Sequence, residues 1–140
     1  MSFVVDRPPI VLDASVAIAS ALQEQVGIAD TMEGWMRDER LRLVPPTFWS
    51  ETANGLLVGN RVAAEDVRGH LADLAQLGIE VADRGLAGVV EAVDLATRHR
   101  LTVYDALYLQ LALDTDAALA TYDIELARAA RREGVDLEPL

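Results

Sequence analysis

The chain has 140 residues, 51% of them hydrophobic and 25% charged, which fits one domain (residues 1–140) able to bury a full core without disulfide or metal staples. Cysteine is absent and all twelve basic residues are arginine, so thiolate zinc sites, cysteine nucleophiles, Schiff-base chemistry and a P-loop lysine are excluded. The net charge of −11 opposes non-specific attraction to nucleic acid, yet a carboxylate cluster that holds divalent metals is itself acidic.

No apolar run is long enough to cross a bilayer. Asp6, Arg7, Pro8 and Pro9 interrupt the first apolar stretch, and no basic segment precedes it, so it does not read as a signal peptide. A cytoplasmic protein is expected.

Ile10, Val11 and Leu12 form a short apolar run after Pro8-Pro9, the pattern of a buried strand that ends at Asp13. Residues 14–23 are small and apolar and read as a buried helix. A second helix over 28–39 places Met32, Trp35 and Met36 on one face. A strand over 41–44 is closed by Pro45-Pro46, and 48–59 reads as helical. The next helix starts at residues 63–66 and carries Val67, Leu71, Leu74 and Leu77 on one side; Gly78 ends it, and a strand follows over 79–81. A helix over 86–99 is expected to turn Val89, Val90, Val93 and Ala96 inward. An apolar helix over 104–113, a strand over 117–121, a helix over 124–133 and an edge strand over 135–137 complete the chain. Short apolar strands alternating with helices predict a parallel sheet covered on both faces, with ligands at the carboxyl ends of its strands.

Four acids stand in apolar parts of the chain, where an unpaired charge is expensive: Asp13 after the first strand, Glu51 in Phe48-Trp49-Ser50-Glu51-Thr52-Ala53, Asp105 in the first turn of an apolar helix, and Asp123 after the 117–121 strand. Taken singly, each has a structural reading. Asp13 and Asp123 are good helix N-caps, Thr102 to Asp105 fits a capping box, and Glu51 suits an arginine partner. Taken together, four carboxylates at one sheet edge would repel one another and would need protons, arginines or metal ions to coexist. Oxygen ligands with few histidines (His70 and His99) and no cysteine select Mg²⁺ or Mn²⁺, the apparatus of metal-assisted phosphodiester hydrolysis.

At these residues the sequence resembles the PIN-domain family, in particular the VapC-type toxins of bacterial toxin–antitoxin pairs. The likeness spans almost the whole chain. It is carried by Ile10-Val11-Leu12-Asp13-Ala14-Ser15-Val16, by Val44-Pro45-Pro46 with Glu51-Thr52-Ala53-Asn54, by Leu101-Thr102-Val103-Tyr104-Asp105-Ala106, and by Leu119-Ala120-Thr121-Tyr122-Asp123 with its following helix. Tyr122 departs from the pattern, standing where a small residue is common.

The resemblance implies a three-layer α/β/α PIN-like domain with a central parallel sheet. It implies an Mg²⁺- or Mn²⁺-dependent endoribonuclease in which Asp13, Asp105 and Asp123 hold metal. Glu51 would hold a second ion or orient water, while Ser15, Asn54 and Thr121 would hydrogen-bond the carboxylates. It also implies RNA as substrate, an antitoxin partner that covers the site, often with an arginine among the acids, and a homodimer.

Three other functions share parts of this pattern. A receiver domain relies on an active-site lysine, which is missing, and an aspartyl phosphatase resembles Asp-x-Asp where Ser15 stands. A non-catalytic interaction module would use its carboxylates only as caps.

Elsewhere, Trp35, Trp49, Tyr104 and Tyr108 read as packing residues. Arg98, His99 and Arg100 read as a solvated helix end. Arg128, Arg131 and Arg132 suit the last helix's dipole, with phosphate contact as the alternative.

Overall fold

The structure, a computed structural model, describes residues 7–140. Its sheet is built from β1 (Ile10–Leu12), β2 (Arg42–Val44), β3 (Glu80–Val81) and β4 (Ala118–Ala120), all parallel, in the order β3-β2-β1-β4. Every residue of β1 and β4 is buried, because helices cover both faces of a parallel sheet and leave no side for polar residues. This explains why both strands are continuous apolar runs rather than alternating ones.

The helices are α1 (Ala14–Leu22), α2 (Ile28–Arg37), α3 (Phe48–Asn54), α4 (Ala64–Ala75), α5 (Gly85–His99), α6 (Val103–Thr115) and α7 (Ile124–Arg132). Together they give the three-layer α/β/α architecture. The core gathers Ile10, Val11 and Leu12 with Phe48, Tyr108, Leu109, Leu119 and Leu126. Trp35 is buried in it, and Trp49 packs against its edge, T-shaped on Phe48 with ring centroids 5.0 Å apart. No helix among the described residues is long and apolar enough to cross a membrane.

Three expectations are corrected. The 48–59 helix changes character after Asn54: Gly55–Gly59 forms a π-helical turn, closed by Asn60, whose backbone and side-chain N–H groups both donate to the Gly55 carbonyl. The predicted strand over 135–137 is one parallel bridge between Leu137 and Leu119. On α5, Ala96 is buried as expected, but Val89, Val90 and Val93 are 40%, 57% and 46% exposed. Gly88, Ala92, Leu95 and Ala96 face inward instead. Small residues let α5 lie close against α6, so the larger valines fall on the outer face. Met36 likewise points out, while Met32 and Trp35 are buried.

The C-terminal segment is fastened by charge. Arg40, 4% exposed, donates to Glu138 Oε1 at 2.5 Å and to the Pro8 carbonyl at 3.0 Å. Backbone bonds from Leu119 to Asp136 and from Glu138 to Leu119 hold the same segment against β4. Removing the carboxylate strands a buried guanidinium, which is costly even where the intact pair adds little. Glu138→Ala is therefore expected to lower the unfolding free energy by about 3 kcal/mol in urea denaturation.

Candidate active site

Parallel pairing of β1 with β4 aligns Leu12 with Ala120, so the next residues, Asp13 and Thr121, emerge side by side at the carboxyl edge. The Asp13 N–H donates to the Ala120 carbonyl at 3.0 Å and continues the ladder by one step. Asp13 is 5% exposed, and one of its oxygens is clamped. Oδ2 accepts from Ser15 Oγ at 2.6 Å and from Thr121 Oγ1 at 2.7 Å.

Each hydroxyl also receives a backbone N–H, that of Tyr122 on Ser15 and that of Asp123 on Thr121. With lone pairs so engaged, both hydroxyl protons are directed at Asp13. Oδ1 has no protein partner among the described residues. The clamp fixes the rotamer and leaves one oxygen open.

The other three acids approach from separate elements. Asp105 lies in the first turn of α6, which Thr102 caps by accepting the Asp105 N–H at 3.1 Å. Asp123 caps α7, its Oδ1 accepting from Glu125 N at 2.9 Å and Leu126 N at 3.1 Å. Glu51 projects from α3, and the buried Tyr108 hydroxyl donates to its Oε1 at 3.4 Å.

The cap reading thus holds for Asp123 and, through the Thr102 hydroxyl on the Asp105 N–H, for the Thr102-to-Asp105 turn, but not for Asp13, which makes no side-chain cap bond. Glu51 has no arginine partner: none of the ion pairs among the described residues involves any of the four acids.

Electrostatics ties the four together. Burial pushes the Asp13 carboxyl above its ordinary range; the Ser15 and Thr121 hydroxyls oppose this, and the charges of Asp105 and Asp123 add to it. Burial also raises Glu51, with Asp13 and Asp105 pushing the same way against the Thr47 and Tyr108 hydroxyls. Asp105 is raised by burial and by Asp123, partly offset by Thr102. The result is a group of mutually repelling carboxylates with no counter-ion among the described residues.

Of the predicted supporting residues, Ser15 and Thr121 contact Asp13 directly. Asn54 is exposed at the end of α3 and hydrogen-bonds to none of the four acids among the described residues. Tyr108, read from sequence as packing, is the residue that sequence reasoning missed. Its spacing of i+3 from Asp105, on the helix face that meets Glu51, was the available signal.

All-oxygen, unneutralised donors are the chemistry of a hard divalent cation. As placed, no three of the described acidic or histidine side chains close on a single ligation point. The donor set therefore fits such an ion by chemistry and charge, with Asp13 Oδ1, Glu51 Oε2 and Asp123 Oδ2 among the uncommitted oxygens.

Comparison with known proteins agrees with this architecture. The PIN domain family profile matches residues 10–132, and the chain belongs to that family. No similarity to a curated protein sequence is detected. Among solved structures, PAE2754 from Pyrobaculum aerophilum is similar with a TM-score of 0.68 at 22% identity, over 87% of this chain and 79% of that one. VapBC2 from Rickettsia felis, bound to a DNA fragment from its promoter, gives 0.68 at 14% identity, over 92% and 96%. The Mycobacterium tuberculosis toxin VapC20, which cleaves the sarcin–ricin loop, gives 0.67 at 14% identity, over 86% and 94%. At these identities the likeness is one of fold.

Because the folded-state pKa of Asp13 lies above its unfolded value, its ionisation costs stability. The cost is absent below the unfolded value near 3.8 and is fully present above the raised one. Asp13→Asn in metal-free buffer is expected to raise Tm at pH 7.5 by roughly 4 °C, the response of a domain this size to about 1 kcal/mol. The gain should shrink as the pH falls toward 4. A lower Tm at pH 7.5 would show that the hydroxyl clamp outweighs burial.

Proposed function

We propose that this protein is a metal-dependent endoribonuclease and the toxin of a toxin–antitoxin pair. The observation that carries the reading is the clamped, buried Asp13 with one open oxygen, set among three further acids that no arginine neutralises. PIN-domain membership and the fold shared with a VapBC complex and an RNA-cleaving toxin support it.

Asp13, Asp105 and Asp123 would hold Mg²⁺ or Mn²⁺, with Glu51 serving a second ion or the attacking water. When bound, such an ion lowers the pKa of water and offsets charge on the phosphate and leaving oxygen. The chain's own residues do the positioning. Ser15 and Thr121 keep Asp13 in one rotamer. Tyr108 holds Glu51 through Oε1, and its own ionisation is strongly disfavoured by burial, so it remains a donor.

Glu51, with its raised affinity for protons, accepts the proton of the attacking water at Oε2. The water oxygen bonds to phosphorus, the bond from phosphorus to the leaving ribose oxygen breaks with its electron pair passing to that oxygen, and solvent water supplies the proton that completes the alcohol. His99 is committed to Glu133 at 2.7 Å, so it is not the base. The antitoxin would supply the missing positive charge among the acids. A homodimer is supported by the exposed apolar stripe of Leu86, Val89, Val90 and Val93 on α5. The same reading makes the protein cytoplasmic.

Mn²⁺ titration of wild type and Asp105→Asn, with cleavage of bulk tRNA followed in the same samples, tests the proposal. Wild type should cut RNA only with metal, and the variant should lose metal affinity and about a hundredfold or more of its rate. Tight metal binding without cleavage of any RNA would leave the metal site and remove the substrate. Absence of metal binding in both proteins would reduce the acids to structural groups.

A further inference from the structure

Beside the acidic site the charge reverses. A cavity of about 410 Å³ lies between the end of α5 and the outer face of α7. Arg98, His99 and Arg100 line one wall, and Glu125, Arg128 and Arg132 the other. Four of the twelve arginines thus surround one cavity in a chain of net charge −11.

Local acids neutralise two of them. Arg98 pairs with Glu133, which also accepts from His99, and Arg128 pairs with Glu125 at 3.0 Å. Arg100 and Arg132 have no carboxylate partner among the described residues, so the cavity keeps an excess of positive charge.

The cavity adjoins the carboxylates through two short links. Arg100 stands two residues before Thr102, the cap of the α6 turn that carries Asp105. On the other wall, Glu125 lies two residues beyond Asp123, and Arg128 and Arg132 follow one turn apart on the same helix face, roughly 8 and 14 Å along the axis from Asp123.

We infer that this arginine cleft, through Arg100 and Arg132, holds the phosphate backbone of the RNA strand next to the scissile bond. The inference rests on the ribonuclease reading above. A polyanion approaching four carboxylates on an acidic protein needs local cations, and guanidinium forks match phosphate oxygens. The cleft offers no exposed ring on which a base could stack: its one ring, His99, is largely buried and bound to Glu133. The contact assigned to Arg100 and Arg132 is with backbone phosphates, which positions the strand without selecting its sequence.

The test uses the full chain and a fluorescein-labelled single-stranded RNA of mixed sequence. Anisotropy is measured in EDTA between 50 and 200 mM KCl (about the range over which phosphate contacts are resolved), and steady-state cleavage is measured with Mn²⁺. Arg100→Ala/Arg132→Ala should lower the slope of log affinity against log salt by about 1.4, roughly 0.7 per phosphate contact. It should raise KM about tenfold with kcat within about twofold, and do so equally for unrelated sequences. Arg100→Lys/Arg132→Lys, which keeps charge, should restore the slope, and Arg68→Ala on α4 should change nothing. Unchanged Tm and circular dichroism confirm that the alanine variant is folded.

If wild type cuts RNA and the alanine variant has the same slope and KM, the cleft assignment is overturned and the ribonuclease reading stands. If RNA binds with a slope that falls in the variant but is never cut, the cleft remains a contact for RNA backbone, while the nuclease reading and the assignment to a scissile bond both fall. If wild type binds no RNA, both fall. Displacement of RNA by an oligoglutamate peptide at equal charge concentration would make the cleft an acidic-peptide site and overturn the RNA assignment.

Discussion

The parallel pairing of β1 with β4 is the constraint on which the site depends. It places Asp13 next to Thr121, and the chain turn that follows each strand delivers Ser15 and Asp123 to the same spot. A carboxylate this buried is tolerated because two hydroxyls, each polarised by a backbone N–H, converge on one of its oxygens. The desolvation that remains, with the repulsion of Asp105 and Asp123, is the free energy that a cation would recover on binding. Folding thus assembles a cluster of carboxylates that no arginine among the described residues neutralises.

The sequence made the sheet type, its cover of helices on both faces and the edge position of Asp13 readable for a physical reason. Buried parallel strands must be continuous apolar runs, and an acid directly after such a run can only lie at the carboxyl edge. What was not readable followed from packing between elements. The inward face of α5 is made by Gly88, Ala92, Leu95 and Ala96, because close approach to α6 favours small residues. A ruler that looks for the largest apolar side chains chooses Val89, Val90 and Val93 instead. Tyr108 escaped notice for a related reason: a tyrosine on an apolar helix reads as filler until the neighbouring helix shows what its hydroxyl meets. The π-helical turn after Asn54 leaves no periodic mark in five residues bounded by glycines.

The distribution of charge has an order that net charge hides. The four buried or partly buried acids at the sheet edge have no arginine partner, whereas several acids elsewhere hold one, as in Arg40 with Glu138 and Arg84 with Glu91 and Asp114. A positive cleft then borders the negative site along α7. An overall acidity that opposes nucleic acid at long range is thereby compatible with local capture of an anionic strand, since screening confines each field to about 8 Å at physiological salt.

The unequal use of the two Asp13 oxygens bears on how far these positions can drift in sequence. At residue 13, charge and reach are locked together: glutamate keeps the charge, but its extra methylene carries the carboxylate past the Ser15 and Thr121 hydroxyls. Asp105 sits in a helical turn already capped by Thr102, and no comparable pair of hydroxyls clamps its carboxylate. Two aspartates of the same site are therefore held in unequal ways, and at residue 13 the aspartate-to-glutamate exchange that is neutral on a solvated surface is disruptive.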